Sequence, residues 1–283
     1  MKFPDFRYAA PESIAEAVKL LAASEGTAKP LAGGQSLLPM MAFRLAAPTL
    51  LVDLRKLKEL QKLTIDDAGV RLGARVRWRD IETDARLKSA HPLLQAAIAH
   101  TAHYQIRNRG TVGGSLAHAD PAAEMPGIAV TCDAEISVVG ASGKRVIPAR
   151  DFFQGPLSTA LAPDELIVEV KLAPWKPNRR WGFQELSRRK GDFAMAGVAA
   201  YYDLDAAGRA TNAHIGVIGA CMKPHRVAAA EAAINGKVVN ESVIAAAGKA
   251  MVSAVEAPND LHASAEYRAA LAGTLLERVL AVQ

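Results

Sequence analysis

Two short glycine-pair segments constrain the possible folds of this chain more than its other features do. The first reads Gly33-Gly34-Gln35-Ser36-Leu37 and the second reads Gly113-Gly114-Ser115-Leu116. Glycine pairs let the backbone turn with positive φ and let a ligand approach the amides closely. Successive amides in such a turn form an anion-binding concavity, to which a serine hydroxyl adds a donor. Together, the two segments predict loops that grip one diphosphate from both sides.

Neither segment matches a common nucleotide-binding motif. The sequence has no G-x-x-x-x-G-K-[ST], and no G-x-G-x-x-G lies between a predicted strand and a predicted helix. Glycine pairs are also ordinary turn residues, so two unrelated structural turns are the alternative interpretation. The cations Arg107 and Arg109 precede the second pair and favour an anionic ligand. From the residues alone, the ligand is a diphosphate whose identity stays open.

Helical and strand patterns along the chain predict an α+β fold. Ser13 precedes Glu16 at capping-box spacing, at the start of a helix that ends near Gly26. Further helices are predicted over 78–87, 91–100, 226–234, 242–255 and 264–281. Strands are predicted over 50–54, 70–74, 134–139, 145–147, 166–172, 196–204 and 213–219.

Length and linker residues predict two domains. A chain of 283 residues exceeds the roughly 100–200 residues typical of one domain. Pro174, Pro177 and Asn178 form the best linker candidate, which places the boundary near residue 176. The N-terminal residues lack the apolar stretch of a signal peptide, and no run reaches the ~18–20 apolar residues of a membrane span. We therefore expect a cytoplasmic protein without a membrane span.

Cysteine content and charge exclude several classes of protein. The chain has two cysteines, Cys132 and Cys221, too few for a disulfide scaffold, a four-cysteine zinc site or its own cysteine-ligated iron–sulfur cluster. Both lie in apolar surroundings and are predicted to be buried, inert thiols. The net charge of +5 is too small and too evenly spread to indicate nucleic-acid binding by itself.

Polar residues elsewhere leave alternatives open. His118, Asp120 and Glu124 follow the second glycine pair, but no further cluster supports a metal site. Asp120 suits either a hydrogen bond to a ribose or ribityl hydroxyl or a helix cap beside Pro121. The basic run 188–190 suits a solvated turn or a cationic group beside a redox-active ring. No residue stands out as a catalytic acid or base.

Four segments taken together resemble the FAD-binding medium subunit of molybdenum hydroxylases. This group includes carbon monoxide dehydrogenase, xanthine dehydrogenase and 4-hydroxybenzoyl-CoA reductase. The resemblance covers nearly the whole chain. It lies in Ala32-Gly33-Gly34-Gln35-Ser36-Leu37, Gln105-Ile106-Arg107-Asn108-Arg109-Gly110-Thr111-Val112-Gly113-Gly114-Ser115, Ala119-Asp120-Pro121-Ala122-Ala123-Glu124 and Ser187-Arg188-Arg189-Lys190-Gly191-Asp192-Phe193-Ala194.

The resemblance implies a fold and an assembly. It implies an FAD-binding domain of the vanillyl-alcohol-oxidase type over 1–176, in subdomains of about 1–56 and 57–176. A smaller C-terminal domain over 177–283 would hold a three-stranded antiparallel sheet and helices. The chain would be an electron-transfer subunit, with molybdopterin on a large partner subunit and two [2Fe–2S] clusters on a small one, in a dimer of heterotrimers. Electrons would pass through FAD to an external acceptor.

The resemblance also implies residue roles, none of them a catalytic acid or base or a metal ligand. Asp120, Glu124 and Thr101 would contact FAD or order its pocket. Leu166 and Ile167 would lie near the flavin, and Lys190 and Phe193 would flank the isoalloxazine ring. The FAD diphosphate would bind to Ala32, Gly33, Gly34, Gln35, Ser36, Leu37, Thr111, Val112, Gly113, Gly114 and Ser115.

Some residues depart from relatives, and two other functions stay open. Gln35 stands where some relatives carry histidine, and Gln184 where the xanthine oxidases carry lysine. The cysteine-rich insertion of the 4-hydroxybenzoyl-CoA reductases is absent. One alternative is a stand-alone FAD-dependent oxidase or dehydrogenase, although no proton acceptor presents itself. The other is a non-catalytic nucleotide- or RNA-binding module using Arg107 and Arg109, although Tyr104 is the one aromatic residue close by.

Overall fold

The structure of the chain is a computed structural model that describes residues 2–282. Its strands are β1 (Arg7–Ala9), β2 (Ala28–Leu31), β3 (Leu50–Asp53), β4 (Leu63–Asp66), β5 (Gly69–Gly73), β6 (Glu135–Gly140), β7 (Gly143–Pro148), β8 (Phe153–Gly155), β9 (Ser158–Thr159), β10 (Leu166–Leu172), β11 (Arg180–Leu186), β12 (Ala196–Leu204), β13 (Ala210–Ile218) and β14 (His225–Arg226). Its helices are α1 (Ile14–Ala22), α2 (Leu37–Ala42), α3 (Trp78–Thr83), α4 (Leu87–Ala90), α5 (Pro92–Ile98), α6 (Tyr104–Arg107), α7 (Val112–His118), α8 (Glu124–Thr131), α9 (Ala149–Phe152), α10 (Ala228–Ile234), α11 (Glu241–Ala254) and α12 (Ala265–Ala281). Short 3₁₀ helices cover Leu54–Lys56 and Lys58–Gln61. The mixture of helices and strands confirms the α+β prediction.

A small parallel sheet opens the chain. Its order is β1-β3-β2, and α1 packs on it through buried Val18 and Leu21. The predicted cap of α1 is confirmed, since the Glu16 amide donates to Ser13 Oγ at 3.2 Å. Because parallel strands align their carboxyl ends, the loop after β2 leaves the same edge of the sheet as the chain that follows β3.

A five-stranded antiparallel sheet forms the central part of the molecule. Its order is β4-β5-β10-β6-β7, and the helices α3, α5, α7 and α8 belong to the same hydrophobic core. Alternation along β6 buries Ile136 and Val138 in this core, as strand periodicity requires. The predicted strand over 166–172 matches β10 at both ends.

A four-stranded antiparallel sheet follows, where three strands were predicted. Its order is β11-β12-β13-β14, and α10, α11 and α12 contribute to its core through residues such as Leu276. The additional strand, β14, has two residues and pairs with Gly216 and Val217. The three-stranded sheet that the resemblance implied is therefore wrong by one strand. A strand as short as β14 also shows no detectable alternation in the sequence.

The buried helix α8 lies between the central core and the four-stranded sheet. All eight of its residues are buried. A Cβ atom added to Gly127 would lie 2.5 Å from Ile218 Cγ2, so the helix backbone approaches β13 closely. Thr131 similarly occupies the space beside Gly216. The sequence did not predict this helix, because a helix buried on every side shows no amphipathic period.

Both cysteines lie in hydrophobic cores. Cys132 belongs to the central core and Cys221 to the core of the four-stranded sheet. Burial raises the pKa of each thiol to about 12, which keeps it protonated and unreactive near neutral pH. The prediction of two buried thiols is confirmed. None of the helices within residues 2–282 is long and apolar enough to cross a membrane.

Candidate functional site

The first glycine loop (32–37) connects β2 to α2. Gly34 has φ of +74°, a left-handed conformation that favours glycine. The Gln35 side chain folds back, and its Nε2 donates to the Gly33 carbonyl oxygen at 2.9 Å. Helical hydrogen bonding begins where the Leu38 amide donates to Gly34 O at 3.2 Å. The loop is thus a tight turn that leads directly into a helix.

The amides of this loop are available to a ligand. Within residues 2–282, the N–H groups of residues 33–37 donate no hydrogen bond to the protein. Gly33 is buried and its neighbours are half-buried, so these donors are partly withdrawn from water. Buried amides without partners are costly, and an anion placed against them would satisfy several at once. The diphosphate-binding prediction fits this loop.

The second glycine loop (111–115) has a different structure. Thr111 caps α7, and its Oγ1 accepts from the Gly114 amide at 3.2 Å. The amides of Val112 and Gly113 donate to Val76 O and Ala74 O at 3.0 and 2.8 Å, respectively. The remaining amide of the loop donates to Thr111 O at 3.0 Å. The amides of residues 112–115 are therefore already used, contrary to the expectation that both loops present free donors.

Glycine is required in both loops because of close backbone packing. A Cβ on Gly33 would collide with the Arg109 carbonyl oxygen and lie 3.0 Å from Gly110 Cα. A Cβ on Gly113 would lie 2.6 Å from Ala74 Cβ. Ala32 is the nearest residue of the first loop to Gly114, whose added Cβ would be 3.9 Å from Ala32 Cβ. The structure thus brings the two loops side by side, as the paired motifs predicted.

The two arginines before the second loop have different environments. Arg107 is paired with Glu82, with Nε 3.2 Å from Oε2, and it donates to the carbonyl oxygens of Thr101 and Ala102 at 3.1 and 3.0 Å. Its guanidinium therefore holds the 101–102 backbone in place. Arg109 is exposed, so of the two it is the one with its side chain open to an incoming anion.

A cluster with two buried carboxyl groups lies beside the site. Burial, and then the charge of Glu185, raises the pKa of Glu124 to about 7. The Glu185 side chain is 5% exposed, with Oε1 3.6 Å from His100 Nδ1. Contact with Glu185 in turn raises the pKa of His100. We refer to Glu124, Glu185, His100 and Thr101 as the acidic cluster.

Two polar atoms of the acidic cluster lack normal hydrogen bonds. Thr101 Oγ1 and Glu185 Oε2 are buried, and neither has a hydrogen-bond partner of good geometry in the described part of the chain. The Thr101 hydroxyl is nevertheless close enough to Glu124 to lower the pKa of that carboxyl against the larger effect of burial. Buried polar atoms without partners are uncommon and mark a place for a ligand or an ordered water.

Asp120 takes part in the turn that precedes α8. Its Oδ1 accepts from the Ala122 amide at 2.9 Å, and its carbonyl oxygen accepts from the Ala123 amide at 3.1 Å. This geometry matches the local, cap-like alternative for one carboxylate oxygen. The other oxygen accepts no hydrogen bond from residues 2–282, and the side chain is half-buried. A ligand hydroxyl is therefore compatible with the same residue.

The remaining predicted residues lie on β10 and in the β11–β12 loop (187–195). Leu166 and Ile167 are 4% and 3% exposed and pack in two different cores. They adjoin the second loop, since Ala74 donates to the Val168 carbonyl oxygen and accepts from Gly113. Leu166 and Ile167 thus directly precede the residue of β10 that is linked through Ala74 to the second loop.

The β11–β12 loop lies against the segment that carries Thr101. Gly191, with φ of +91°, packs against the His103 ring. Lys190 is near enough to His100 to oppose the rise in its pKa. Phe193 is 66% exposed, an unusual position for a phenylalanine. Lys190 therefore lies in the same region as the acidic cluster, which includes Thr101.

Sequence reasoning missed Glu185 and His100. Glu185 lies on β11, a strand that the sequence did not predict, and His100 directly precedes Thr101. Their pairing depends on the packing of β11 against α5, which no local pattern reports. Among the described residues, no group of three or more histidine, cysteine, aspartate or glutamate side chains is arranged to hold a metal ion.

The residues present fit FAD. The first glycine loop supplies unpaired amides for a diphosphate, and glycines leave the space that a Cβ would fill. Thr101 and Asp120 supply polar atoms with unused hydrogen-bonding capacity. These features are what a dinucleotide with phosphate and hydroxyl groups requires.

Comparison with known families agrees with this site. Residues 4–175 match the family described as the FAD binding domain in molybdopterin dehydrogenase. Residues 181–282 match the CO dehydrogenase flavoprotein C-terminal domain. Both glycine loops and the acidic residue Glu124 fall within the first match.

Relatives match over nearly their full lengths. The chain is 41% identical over 280 residues to the nicotine 6-hydroxylase medium subunit of Paenarthrobacter nicotinovorans, covering 99% of this chain and 98% of the relative. It is 34% identical to the carbon monoxide dehydrogenase medium chain of Hydrogenophaga pseudoflava, with 98% and 96% covered. The crystal structure of quinoline 2-oxidoreductase from Pseudomonas putida 86 matches with a TM-score of 0.94 at 38% identity, covering 100% and 98%. The chain therefore belongs to the family of FAD-binding medium subunits of molybdenum hydroxylases.

Proposed function

We propose that this chain binds FAD across its two glycine loops and passes electrons from the [2Fe–2S] clusters of a partner subunit through FAD to an external acceptor. The observation that carries the proposal is the first glycine loop. Its unpaired amides at 33–37 lie beside the backbone of Arg109 and Gly110. When bound, FAD supplies the isoalloxazine ring that takes up and releases electrons. The protein holds and places that group, and shapes its electrostatic surroundings.

Each predicted site residue has a proposed role in binding FAD. The loops 32–37 and 111–115 bind the diphosphate, the first through amides and the second through close approach and Ser115. Asp120 and Thr101 bind hydroxyl groups, while Glu124 orders the pocket from the acidic cluster. Leu166 and Ile167 support the apolar side, and Lys190 and Phe193 flank the ring. The exposure of Phe193 and the free polar atoms near Thr101 support this assignment.

The proposed division into two domains uses the boundary near residue 176 that the linker residues predict. An FAD-binding domain over 1–176, with vanillyl-alcohol-oxidase-type subdomains of about 1–56 and 57–176, is followed by a C-terminal domain over 177–283. The core of the four-stranded sheet, whose residues all lie after residue 176, supports this division. Ala199 and Tyr201 of β12 pack in the central core and join the two domains. The segment between β10 and β11 carries Pro174 and Pro177 and has no regular structure.

The proposed assembly contains other chains. A large molybdopterin subunit oxidises the substrate and a small subunit holds two [2Fe–2S] clusters, in a cytoplasmic dimer of heterotrimers. Relatives named medium subunit or medium chain support this assembly. Burial of both cysteines supports it as well, because neither thiol is available as a cluster ligand.

The test of the proposal is a charge placed in the second glycine loop. Gly114→Asp puts a carboxylate beside the proposed diphosphate and crowds Thr111 Oγ1, 2.8 Å from the added Cβ. Like charges about 4 Å apart cost roughly 1–4 kcal/mol, so we expect the dissociation constant for FAD to rise at least about tenfold. Ala206→Asp adds the same charge in the exposed β12–β13 turn and serves as the matched control.

Flavin content and binding are measured on the full chain purified from its native host with the subunits that accompany it. Wild-type protein without flavin, and without affinity for added FAD, would contradict the proposal. Co-purification of molybdenum and iron supports the assembly. Turnover of a substrate by the chain alone would instead favour a stand-alone oxidase or dehydrogenase.

A further inference from the structure

A buried arginine lies behind the proposed flavin site. Arg268, on α12, is 4% exposed in the region packed against the four-stranded sheet. Its Nη1 donates to Met195 O at 2.7 Å and to Gly219 O at 3.0 Å. Its Nη2 pairs with Asp260 Oδ2 at 2.7 Å. A buried cation is costly unless it is paired and hydrogen-bonded, and Arg268 meets this requirement through the Asp260 carboxylate and the two carbonyl groups. Its buried Nε has no hydrogen-bond partner within residues 2–282.

The first carbonyl belongs to the β11–β12 loop. Met195 ends this loop, two residues after Phe193, and its amide donates to Leu186 O at 2.8 Å. The exposed part of the loop, with Lys190 and Phe193, precedes this anchored end. Arg268 therefore fixes the end of the segment that carries the proposed ring-flanking residues.

The second carbonyl belongs to a glycine that touches both sides of the proposed site. Gly219 has φ of +71°, and its amide donates to Pro121 O at 3.0 Å, next to Asp120. A Cβ on Gly219 would lie 2.5 Å from the Ala194 carbonyl oxygen. Gly219 is thus held between the Asp120–Pro121 segment and the segment that follows Phe193.

We infer that Arg268 is a positioning residue that sets the distance between Asp120 and the β11–β12 loop, and through it the affinity for FAD. One guanidinium nitrogen holds both carbonyl groups, so the two segments cannot move independently. Arg268 lies behind these segments and acts through Met195 and Gly219. This inference rests on the proposed function, because it concerns the same flavin site.

Four variants of the full chain, purified in its native complex, test the inference. Arg268→Met removes both hydrogen bonds, whereas Arg268→Lys keeps the charge with a single ammonium group. Asp260→Asn removes the ion pair and leaves the carbonyl contacts. Leu276→Ala opens a cavity on the same helix, at a fully buried position, and serves as the control for loss of stability.

The readouts are the dissociation constant for FAD and the fluorescence anisotropy of the bound flavin, measured where circular dichroism shows every variant folded. We expect Arg268→Met to weaken FAD binding about tenfold or more, since each lost charge-assisted hydrogen bond is worth roughly a factor of ten. Arg268→Lys should be intermediate and should restore part of the anisotropy. Leu276→Ala should stay within about twofold of the wild-type dissociation constant for FAD. Asp260→Asn should do the same, because it leaves both carbonyl hydrogen bonds of Arg268 in place.

The inference is overturned if Arg268→Met binds FAD as well as Leu276→Ala does. If Arg268→Met does not fold, the comparison of Arg268→Lys with Asp260→Asn decides, and equal FAD affinities overturn the inference. Wild-type complex that binds no FAD would instead contradict the proposed function. The two failures are therefore distinguishable.

Discussion

Glu124 is placed where two electrostatic effects oppose each other. It is the first residue of α8, and a helix N-terminus stabilises a carboxylate by about 0.3–1 kcal/mol. Burial and the nearby Glu185 act in the opposite direction and raise the pKa of Glu124 to about 7. Loss of solvation exceeds the helix dipole here because the side chain is withdrawn from water.

This carboxyl should make stability depend on pH. The folded pKa of Glu124, about 7, lies above its ordinary value of 4.5, so the folded protein holds a proton that the unfolded chain releases between these values. The free energy of unfolding should therefore fall as pH rises from about 5 to 7, by at most roughly 1.4 kcal/mol per pH unit for one proton. The raised pKa of His100 acts in the same direction, because its contribution is lost as pH rises through that pKa.

Urea unfolding at pH 5, 6, 7 and 8 measures this dependence. Glu124→Gln should flatten the slope, while Glu59→Gln, at an exposed position, should leave it unchanged. Equal slopes for wild type and Glu124→Gln would show that the buried carboxyl does not hold the proton.

The two glycine loops depend on each other for their shape. The Gly33 backbone touches the backbone of Arg109 and Gly110, so a side chain at this position has no room. No left-handed φ is involved at Gly33, and the constraint is therefore space rather than backbone conformation. Substitution here should separate the two loops.

Gly33→Ala is expected to destabilise the fold by about 1–3 kcal/mol through overpacking and to weaken FAD binding. Gly155→Ala is the matched control, because no atom lies within 4 Å of an added Cβ there. Urea midpoints and FAD titrations of both variants check the prediction. Similar behaviour of the two variants would mean that the loops can move apart without cost.

Each of the two larger hydrophobic cores of the molecule contains one cysteine thiol. Cys132 reports on the central core and Cys221 on the core of the four-stranded sheet. If FAD is held between the parts of the chain that contain these cores, its binding should protect both. A ligand present at 100 times its dissociation constant stabilises the folded state by about 2.7 kcal/mol.

Labelling by a thiol reagent in mild urea tests this expectation. Cys132→Ala and Cys221→Ala variants each leave one thiol. FAD at 100 times its dissociation constant should slow the labelling of either thiol by up to about a hundredfold, where the unfolding that exposes the thiol is at equilibrium. Protection of Cys132 alone would indicate that the C-terminal part does not contribute to FAD binding.

Much of the fold is readable from local patterns. The strand over 196–204 and the helix α12 match their predictions within a residue, because alternation and helical spacing are properties of neighbouring residues. The two-residue strand β14 and the buried helix α8 were not predictable in this way. The first is too short to show a period, and the second is apolar on every side.

The sequence by itself determined the two glycine loops, the family they indicate and about half of the helices and strands. The tertiary structure decided which amides stay free. The amides of 112–115 donate hydrogen bonds to Val76, Ala74 and Thr111, whereas those of 33–37 donate none within the described residues. It also paired Arg107 with Glu82 and brought Glu185 to Glu124. Hydrogen bonds and pKa values of this kind depend on groups distant in sequence, whose contacts exist only after the sheets have packed together.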